Sequence, residues 1–368
     1  MKTQTIKKIN QSPCKAYFAI TGGGQSFLGE YMKVSGASNT VIGAIIPYSQ
    51  YAFDKFVNNS KTVSYASETA ARKLAVVAYN ECIAAGVEDI YAIGIGASCS
   101  LVKDDERSGR EHKIYVAAHT ADTTYVLNTY LQQGRTRQEE EYIASELIGE
   151  LLARVSIGEL FSPTTYFTSP QEYRQLRAET SLPIATLLRG SLDNVMLKGK
   201  GLSKDSTVAI YCGSWNPWHK GHQEVFNTAK KVLNTRPILE LSVKNVDKGQ
   251  IDFIDIEERL NSIPSGIDIV ATCLPTFVEK AEMFRRHCFE KDIVFIVGAD
   301  TWNRIWDNKY LGHPNYVDAR LKYSKVKFLV FPRPGVEIQT TYGKDLRITS
   351  DLIRDFSPIA ISSTDLRI

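Results

Sequence analysis

The sequence predicts two α/β domains in tandem, the second a doubly wound, mostly parallel sheet, and three observations carry that prediction. The chain has 368 residues, more than one hydrophobic core usually organises, because domains cluster at roughly 100–200 residues. Short apolar strands alternate with amphipathic helices through glycine-marked turns toward both ends of the chain, the pattern of mixed α/β layers. Between these regions the character changes: SPTTYFTSPQEYRQLRAETSLP mixes Pro, Ser, Thr and charge, and KGKGLSKDS follows. Loop-forming residues of this kind mark a connection, so the expected organisation is a first domain over 1–157, a linker over 158–205 and a second domain over 206–368.

In the first domain, residues 16–21 read as a strand, followed by Gly22, Gly23 and Gly24 and a short helix from about 25. An apolar run over 41–46 stops at Pro47, and Ser67-Glu68 opens a helix to about 85. Further β-rich runs lie at 90–95, 113–119 and 123–127, and a charged helix over about 136–155 closes the domain. The triple glycine admits two readings, a tight turn that needs permissive backbone or a turn that binds phosphate. The acidic residues Glu139, Glu140 and Glu141 read as a solvated helix face. Within the linker, ATLLRGSLDNVML retains the apolar content to pack against a neighbour.

The second domain has a plain βα rhythm. Strands are expected at 207–211, 237–243, 267–272, 293–297 and 326–331, with helices over about 219–233, 255–262, 277–287 and 301–306. Continuous apolar strands separated by helices imply a parallel sheet covered on both faces.

Composition excludes several classes. With 43% hydrophobic residues, 23% charged and a net charge of +3, nothing favours a nucleic-acid or acidic-membrane partner. The six cysteines, at 14, 82, 99, 212, 273 and 288, form no CxxC pair and no zinc-spaced cluster. Reduced thiols in the cytoplasm are expected, because no apolar run approaches the length of a membrane span and MKTQTIKKINQSPCK has no secretory core.

The chemistry concentrates in GSWNPWHKGH, residues 213–222, which directly follows a buried strand and opens a helix. Ligands of parallel α/β sheets sit at that carboxyl end of a strand. At i and i+3, His219 and His222 project from one face of the first helical turn. Unpaired amides and the positive end of the helix dipole make that place suitable for phosphate. Gly213 and Gly221 allow close approach of backbone to ligand, and Pro217 stiffens the loop. At the other end of the domain, Ser362, Ser363 and Thr364 precede Asp365, a cap-like stretch whose hydroxyls and amides can hold an anion, and Arg367 adds a forked cation that matches phosphate oxygens.

GSWNPWHKGH resembles the H-x-G-H signature of the nucleotidyl transferase superfamily, in the G-[ST]-F-[ND]-P-x-H-x-G-H form of nicotinate and nicotinamide mononucleotide adenylyltransferases, with Trp215 where the family has phenylalanine. ISSTDLR, residues 361–367, resembles the ISSTxIR motif of the same enzymes. The resemblance implies a Rossmann-like sheet of the HUP type. It casts His219, His222 and Arg367 as catalytic, and Gly213, Ser214, Gly221, Ser362, Ser363 and Thr364 as nucleotide-binding. Gly298-Ala299-Asp300 resembles the family's G-A-D segment, which adds Gly298 and Asp300 to the nucleotide side. Trp215, Asn216, Thr276, Trp302 and Trp306 fall on the substrate side by the same resemblance, and Lys244, at the end of the second strand, is placed to meet phosphate at the same sheet edge. Core packing is the equal alternative for Trp302, and solvent exposure for Lys248, which follows Lys244 in SVKNVDK.

The first domain resembles the C-terminal domain of CinA, the nicotinamide-nucleotide deamidase type, through Thr21-Gly22-Gly23, Ser35-Gly36-Ala37-Ser38, Pro47-Tyr48-Ser49 and Gly94-Ile95-Gly96-Ala97. Where the family has E-S-C before T-G-G, this chain has Phe18-Ala19-Ile20, and the family's lysine position falls near Phe53. Without that hydroxyl and amine the acyl chemistry lacks its nucleophile, so a degenerate, catalytically silent domain is expected.

Together these resemblances imply in-line transfer of a nucleoside monophosphate, AMP from ATP, to a phosphorylated acceptor such as nicotinamide or nicotinate mononucleotide, with loss of pyrophosphate. Mg²⁺ is expected with the ATP, held by nucleotide and water and not by a protein metal site. The alternatives are a cytidylyl or other nucleotidyl transferase acting on a sugar or polyol phosphate, and a nucleotide sensor without turnover. Small-molecule nucleotides are the expected partners, and the relatives' habit of self-association suggests a homo-oligomer.

Overall fold

The structure, a computed structural model, describes residues 1–58, 64–105, 109–159, 173–199, 201, 205–245, 249–307 and 312–359. Lys248, Ser362, Ser363, Thr364 and Arg367 therefore lie outside the described residues. The chain divides into two compact units, Met1–Leu182 with Gln250–Ile254, and Pro183–Gly249 with Asp255–Ile368.

In the first unit, α1 (Thr3–Gln11) leads into β1 (Lys15–Thr21), followed by α2 (Ser26–Met32), β2 (Val41–Ile45), α3 (Gln50–Phe56) and α4 (Glu68–Ala84). Strands β3 (Ala92–Ser100), β4 (His112–His119) and β5 (Thr123–Leu131), helix α5 (Arg137–Ile157) and strand β6 (Tyr173–Thr180) complete it. The sheet runs β2-β1-β3-β4-β5-β6. Strand β1 is parallel to β2 and β3, and the remaining pairs are antiparallel.

Local chemistry explains the long helices. The Ser67 hydroxyl caps α4 by accepting from Ala70 N–H, and α5 opens on a reciprocal capping box between Thr136 and Glu139. Helix α4 lies directly on β3, because a Cβ at Gly94 or Gly96 would come within 2.0 Å of the Ala75 carbonyl or 2.2 Å of the Ala71 carbonyl. On the other face, Phe18, Ile20, Ile95 and Val116 bury against Leu147 and Leu151 of α5.

Two expectations are corrected here. Of the acidic residues of α5, only Glu139 is solvent-exposed. Glu140 is fully buried, with its carboxylate 2.6 Å from His112 Nδ1 and accepting from Val102 N–H at 2.7 Å. Glu141 accepts from the amides of Gly24 at 2.7 Å and Ser26 at 3.0 Å. The glycine turn is thus a turn whose donors are taken by the chain's own carboxylate, which leaves the phosphate-binding reading without those amides. Charge alone predicts solvent; burial becomes favourable because Glu140 is met by His112 and Val102 and Glu141 by the amides of the turn.

The second unit contains α6 (Leu182–Leu188) from Pro183 on, β7 (Asn194–Lys198), β8 (Thr207–Gly213), α7 (Lys220–Leu233), β9 (Ile238–Ser242) and α8 (Phe253–Ser262) from Asp255 on. It continues with β10 (Ile269–Thr272), α9 (Phe277–His287), β11 (Asp292–Gly298), α10 (Ala299–Ile305), α11 (Pro314–Tyr323), β12 (Val326–Phe331), β13 (Arg347–Ile348) and α12 (Asp351–Arg354). Its sheet runs β13-β12-β11-β8-β9-β10-β7, parallel throughout except for β7. The chain winds outward from β8 through β9 and β10, then returns to β11 on the other side of β8, and that reversal creates a switch point beside β8. Fully buried β10 and nearly continuous burial along β8, β9, β11 and β12 fit the predicted covered parallel sheet.

The stretch 158–205, expected as a linker, contributes a strand to each sheet. β6 pairs with β5 over eight residues, and β7 pairs with β10 as an antiparallel edge. The sequence hides them because edge strands bury too little to show a continuous apolar run. Gln250–Ile254, expected in the second domain, joins the first unit, where Arg72 Nη1 lies 3.0 Å from Asp252 Oδ1 and Phe253 stacks on His119.

Candidate active site

The loop from β8 to α7 reaches the switch point. Its floor is Trp215, which is buried, donates from Nε1 to the Glu240 carbonyl at 3.2 Å and lies 4.6 Å from the Tyr211 ring. A Cβ at Gly213 would come within 2.6 Å of the Trp215 indole, so a glycine is needed there for the ring to fold back. Arg259 of α8 fastens the loop from beside it, donating to the Ser214 carbonyl at 3.0 Å and to Asp255 at 2.6 Å. Asn216 donates to the same Asp255 at 3.2 Å, and Trp218 N–H donates to Ser262 Oγ at 3.0 Å.

On this floor the two histidines meet. His219, the residue before α7, and His222, in its first turn, stack with ring centroids 3.6 Å apart and an interplanar angle of 22°. The His222 ring also rests 5.1 Å from Trp215 and 5.4 Å from Trp218. A Cβ at Gly221 would lie 3.1 Å from the His219 ring, so Gly221 leaves room for the stack. The imidazoles are 8% and 9% exposed, and Nδ1 of each is buried with no hydrogen-bond partner among the described residues. Unpaired buried polar atoms are rare in folded proteins. Two in adjacent rings are what an incoming acceptor would satisfy.

Electrostatics keeps both rings neutral. Burial lowers the pKa of His219, and the positive charge of Arg333 adds to the effect. Burial, His219 and Arg333 together bring His222 down to about 3. Each ring therefore presents one N–H and one lone pair at neutral pH.

Gly298 and Asp300 arrive from the neighbouring strand, at the end of β11 and the start of α10. Arg333 follows β12, and its Nε lies 3.4 Å from Asp300 Oδ1. The sequence expectations miss Arg333 and Arg259. The signal for Arg259 is its i,i+4 spacing from Asp255 on a predicted helix; Arg333 is visible only once strand order places β12 beside β11.

Other expected contacts fall elsewhere. Thr276 caps α9 in a reciprocal box with Glu279, donating to its carboxylate at 2.6 Å and accepting from its amide at 3.3 Å. Trp302 is fully buried, donates to the Gln339 carbonyl at 3.1 Å and packs on Trp306 and Phe328; Trp306 belongs to the same core. Both indoles read as substrate contacts by resemblance, but the short α10 turns them under the sheet edge. Trp215 likewise supports His222 from below. Lys244 is exposed, just past β9.

Below the carboxyl edge lies a closed polar cluster. Glu240 accepts from Thr272 at 2.5 Å, Ser242 at 3.0 Å and Lys280 at 2.8 Å, and Lys280 also donates to Ser242 at 2.6 Å. Burial works most strongly against the Lys280 charge, but Glu240, Cys212 and Glu279 together outweigh it and the Lys280 pKa is raised. Such a network ties β9 and β10 to α9 and fixes the ends of the strands that face the loop.

Residues 210–368 match the family model described as cytidylyltransferase-like. This region is therefore similar to the nucleotidyltransferases of the cytidylyltransferase-like family. The match begins inside β8 and takes in the histidine loop, α10 and Arg333. A search of curated proteins finds no match. Among solved structures, the nicotinic acid mononucleotide adenylyltransferase of Plasmodium falciparum in complex with NaAD is similar at 16% identity, over 44% of this chain and 82% of that one, with a TM-score of 0.32. The competence/damage-inducible protein CihA of Agrobacterium tumefaciens is similar at 13% identity, over 42% and 94%, with a TM-score of 0.33. A CinA superfamily protein of Escherichia coli follows at 12% identity, over 42% and 84%, with a TM-score of 0.31.

The first unit holds a cavity of about 200 Å³ lined by Gly22, Tyr48, Ser49 and Arg137 among others. Ala19 and Phe53, at the positions of the family's serine and lysine, are both buried. Among the described residues no helix is long and apolar enough to cross a membrane.

Proposed function

We propose that the nucleotidyltransferase domain transfers AMP from ATP to a phosphorylated acceptor such as nicotinamide or nicotinate mononucleotide. One observation carries the reading: two stacked imidazoles with buried, unpartnered Nδ1 atoms stand at the switch point beside Gly298, Asp300 and Arg333. The GSWNPWHKGH and ISSTDLR motifs support AMP and a mononucleotide acceptor.

In this reading an acceptor phosphate oxygen attacks the α-phosphorus in line. The new P–O bond forms as the bond to the β-phosphate bridging oxygen breaks, and pyrophosphate leaves with that electron pair. No protein nucleophile is needed; the protein positions two anions and stabilises charge on the leaving side. His219 and His222 donate neutral N–H groups to phosphate oxygens, in a pocket where burial strengthens each bond. Mg²⁺ would enter with the triphosphate, held largely by the nucleotide and water, and offset its charge. The first unit acts in this reading without deamidase chemistry, the protein works in the cytoplasm, and copies of the chain self-associate.

The cytidylyltransferase-like description of the matching family favours a second reading, with CTP as donor and a sugar or polyol phosphate as acceptor. A screen of phosphorylated acceptors with ATP or CTP and Mg²⁺, reading pyrophosphate, separates the two. Turnover with ATP and a pyridine mononucleotide is expected. Turnover with CTP alone would establish the second reading, and nucleotide binding with no pyrophosphate from any pair would leave a sensor.

A further inference from the structure

Arg333 stands where strand order, not sequence distance, brings it. β11 and β12 pair in parallel with Gly298 opposite Phe331. Two residues later, Arg333 lies at the same carboxyl edge. Its backbone is held by a tight turn in which Val336 N–H donates to the Arg333 carbonyl at 3.1 Å. Its Nε faces Asp300 Oδ1 at 3.4 Å, beyond good hydrogen-bonding geometry, and both side chains remain partly exposed, at 38% and 46%. A Cβ at Gly298 would come within 2.7 Å of Asp300 Oδ1 and 3.0 Å of Arg333 Nε, so glycine leaves the pair its space.

An exposed pair at this separation contributes little to stability. It does keep a guanidinium beside two buried imidazoles. We propose that Arg333 binds the polyphosphate of the nucleotide, and that Asp300 holds it at the edge of β11 until a triphosphate takes it over. The proposal rests on the nucleotide reading of this site and names its anion-binding side chain. A planar guanidinium donates to two phosphate oxygens at once, a better match than a 3.4 Å contact with one carboxylate oxygen. The groups facing His222 are His219, Arg333 and Tyr211, and burial keeps the Tyr211 phenol protonated. Burial, with the Arg333 cation adding to it, keeps the rings neutral in the free protein. A polyphosphate on Arg333 cancels that cation and supplies an acceptor.

The test uses calorimetric titration of ATP, pyrophosphate and AMP into the full chain and into Arg333→Gln and Arg333→Lys, with proton NMR of the imidazole C2–H signals in the ligand-free proteins. Arg333→Gln should weaken ATP and pyrophosphate by about tenfold or more, the loss of charged hydrogen bonds, and leave AMP within about twofold. Arg333→Lys should recover part of the loss. The His222 signal should titrate at higher pH in ligand-free Arg333→Gln than in wild type. ATP and pyrophosphate binding that survives Arg333→Gln, or an equal loss for AMP, would overturn the proposal while the nucleotide site stands. A wild-type chain that binds neither ATP nor pyrophosphate would remove the proposal and the nucleotide reading together, and the NMR shift would then report only where the guanidinium lies.

Discussion

Replacing His222 by glutamine tests the active-site geometry most directly. Glutamine keeps a donor and much of the volume but cannot reproduce a ring stacked 3.6 Å from His219 and 5.1 Å from Trp215. Removing one preorganised donor from a water-excluded site costs about 10²–10³ in turnover, or about 3–4 kcal/mol of transition-state stabilisation. The lost ring contacts should cost about 1 kcal/mol of fold stability. Acid provides a second signature. The folded pKa of His222, about 3, lies below the ordinary histidine value of 6.5, so the unfolded chain binds protons first and stability falls as pH drops from 6.5 towards 3. At one pH unit below 6.5, that linkage removes about 1.4 kcal/mol, and the glutamine variant lacks it. Pyrophosphate release at saturating ATP and acceptor, with thermal melts at pH 7.5 and at the lower pH, reads both effects. Turnover within about fivefold of wild type in a folded His222→Gln protein would refute the role of the ring as a transition-state donor.

Three further outcomes follow from the same structure. His119 in the first unit is buried and brought down to about 3 by desolvation, so that unit should also lose stability as pH falls below 6.5; His119→Leu should flatten the dependence in pH-jump unfolding followed by hydrogen exchange. Thr276→Ala should lower stability by about 1 kcal/mol through loss of the α9 cap and leave the acceptor KM unchanged, whereas a large rise in KM would return Thr276 to the substrate side. Glu141→Ala should destabilise the first unit by about 1–3 kcal/mol, because the Gly24 and Ser26 amides lose their acceptor, and an unchanged urea midpoint would show that solvent replaces it.

Much of the second domain is legible in its residues. Strands of continuous apolar character, as in IVFIV before Gly298, need no partner to be recognised, because burial on both faces leaves no polar alternation. The histidine loop is equally legible: a strand end, two glycines and imidazoles at i and i+3 converge by local geometry. The edge strands β6 and β7 are not legible, since an edge has neither a two-sided core nor a strict alternation. Trp302 and Trp306 mislead because indoles beside a ligand and indoles in a core look alike in sequence. Two of the acidic triplet of α5 mislead for a related reason: charge predicts solvent, but Glu140 finds His112 and the Val102 amide, and Glu141 finds the amides of the glycine turn.

By itself the sequence determined two α/β regions, the βα rhythm of the second and the pairing of His219 with His222, because each depends on contacts a few residues apart. The tertiary structure alone decided which cation stands beside them. Arg333 is 111 positions beyond His222 in the numbering, and only the order β12-β11-β8 brings the ends of those strands to one edge. Long-range register, set by which strands share hydrogen bonds, is information that no local pattern contains.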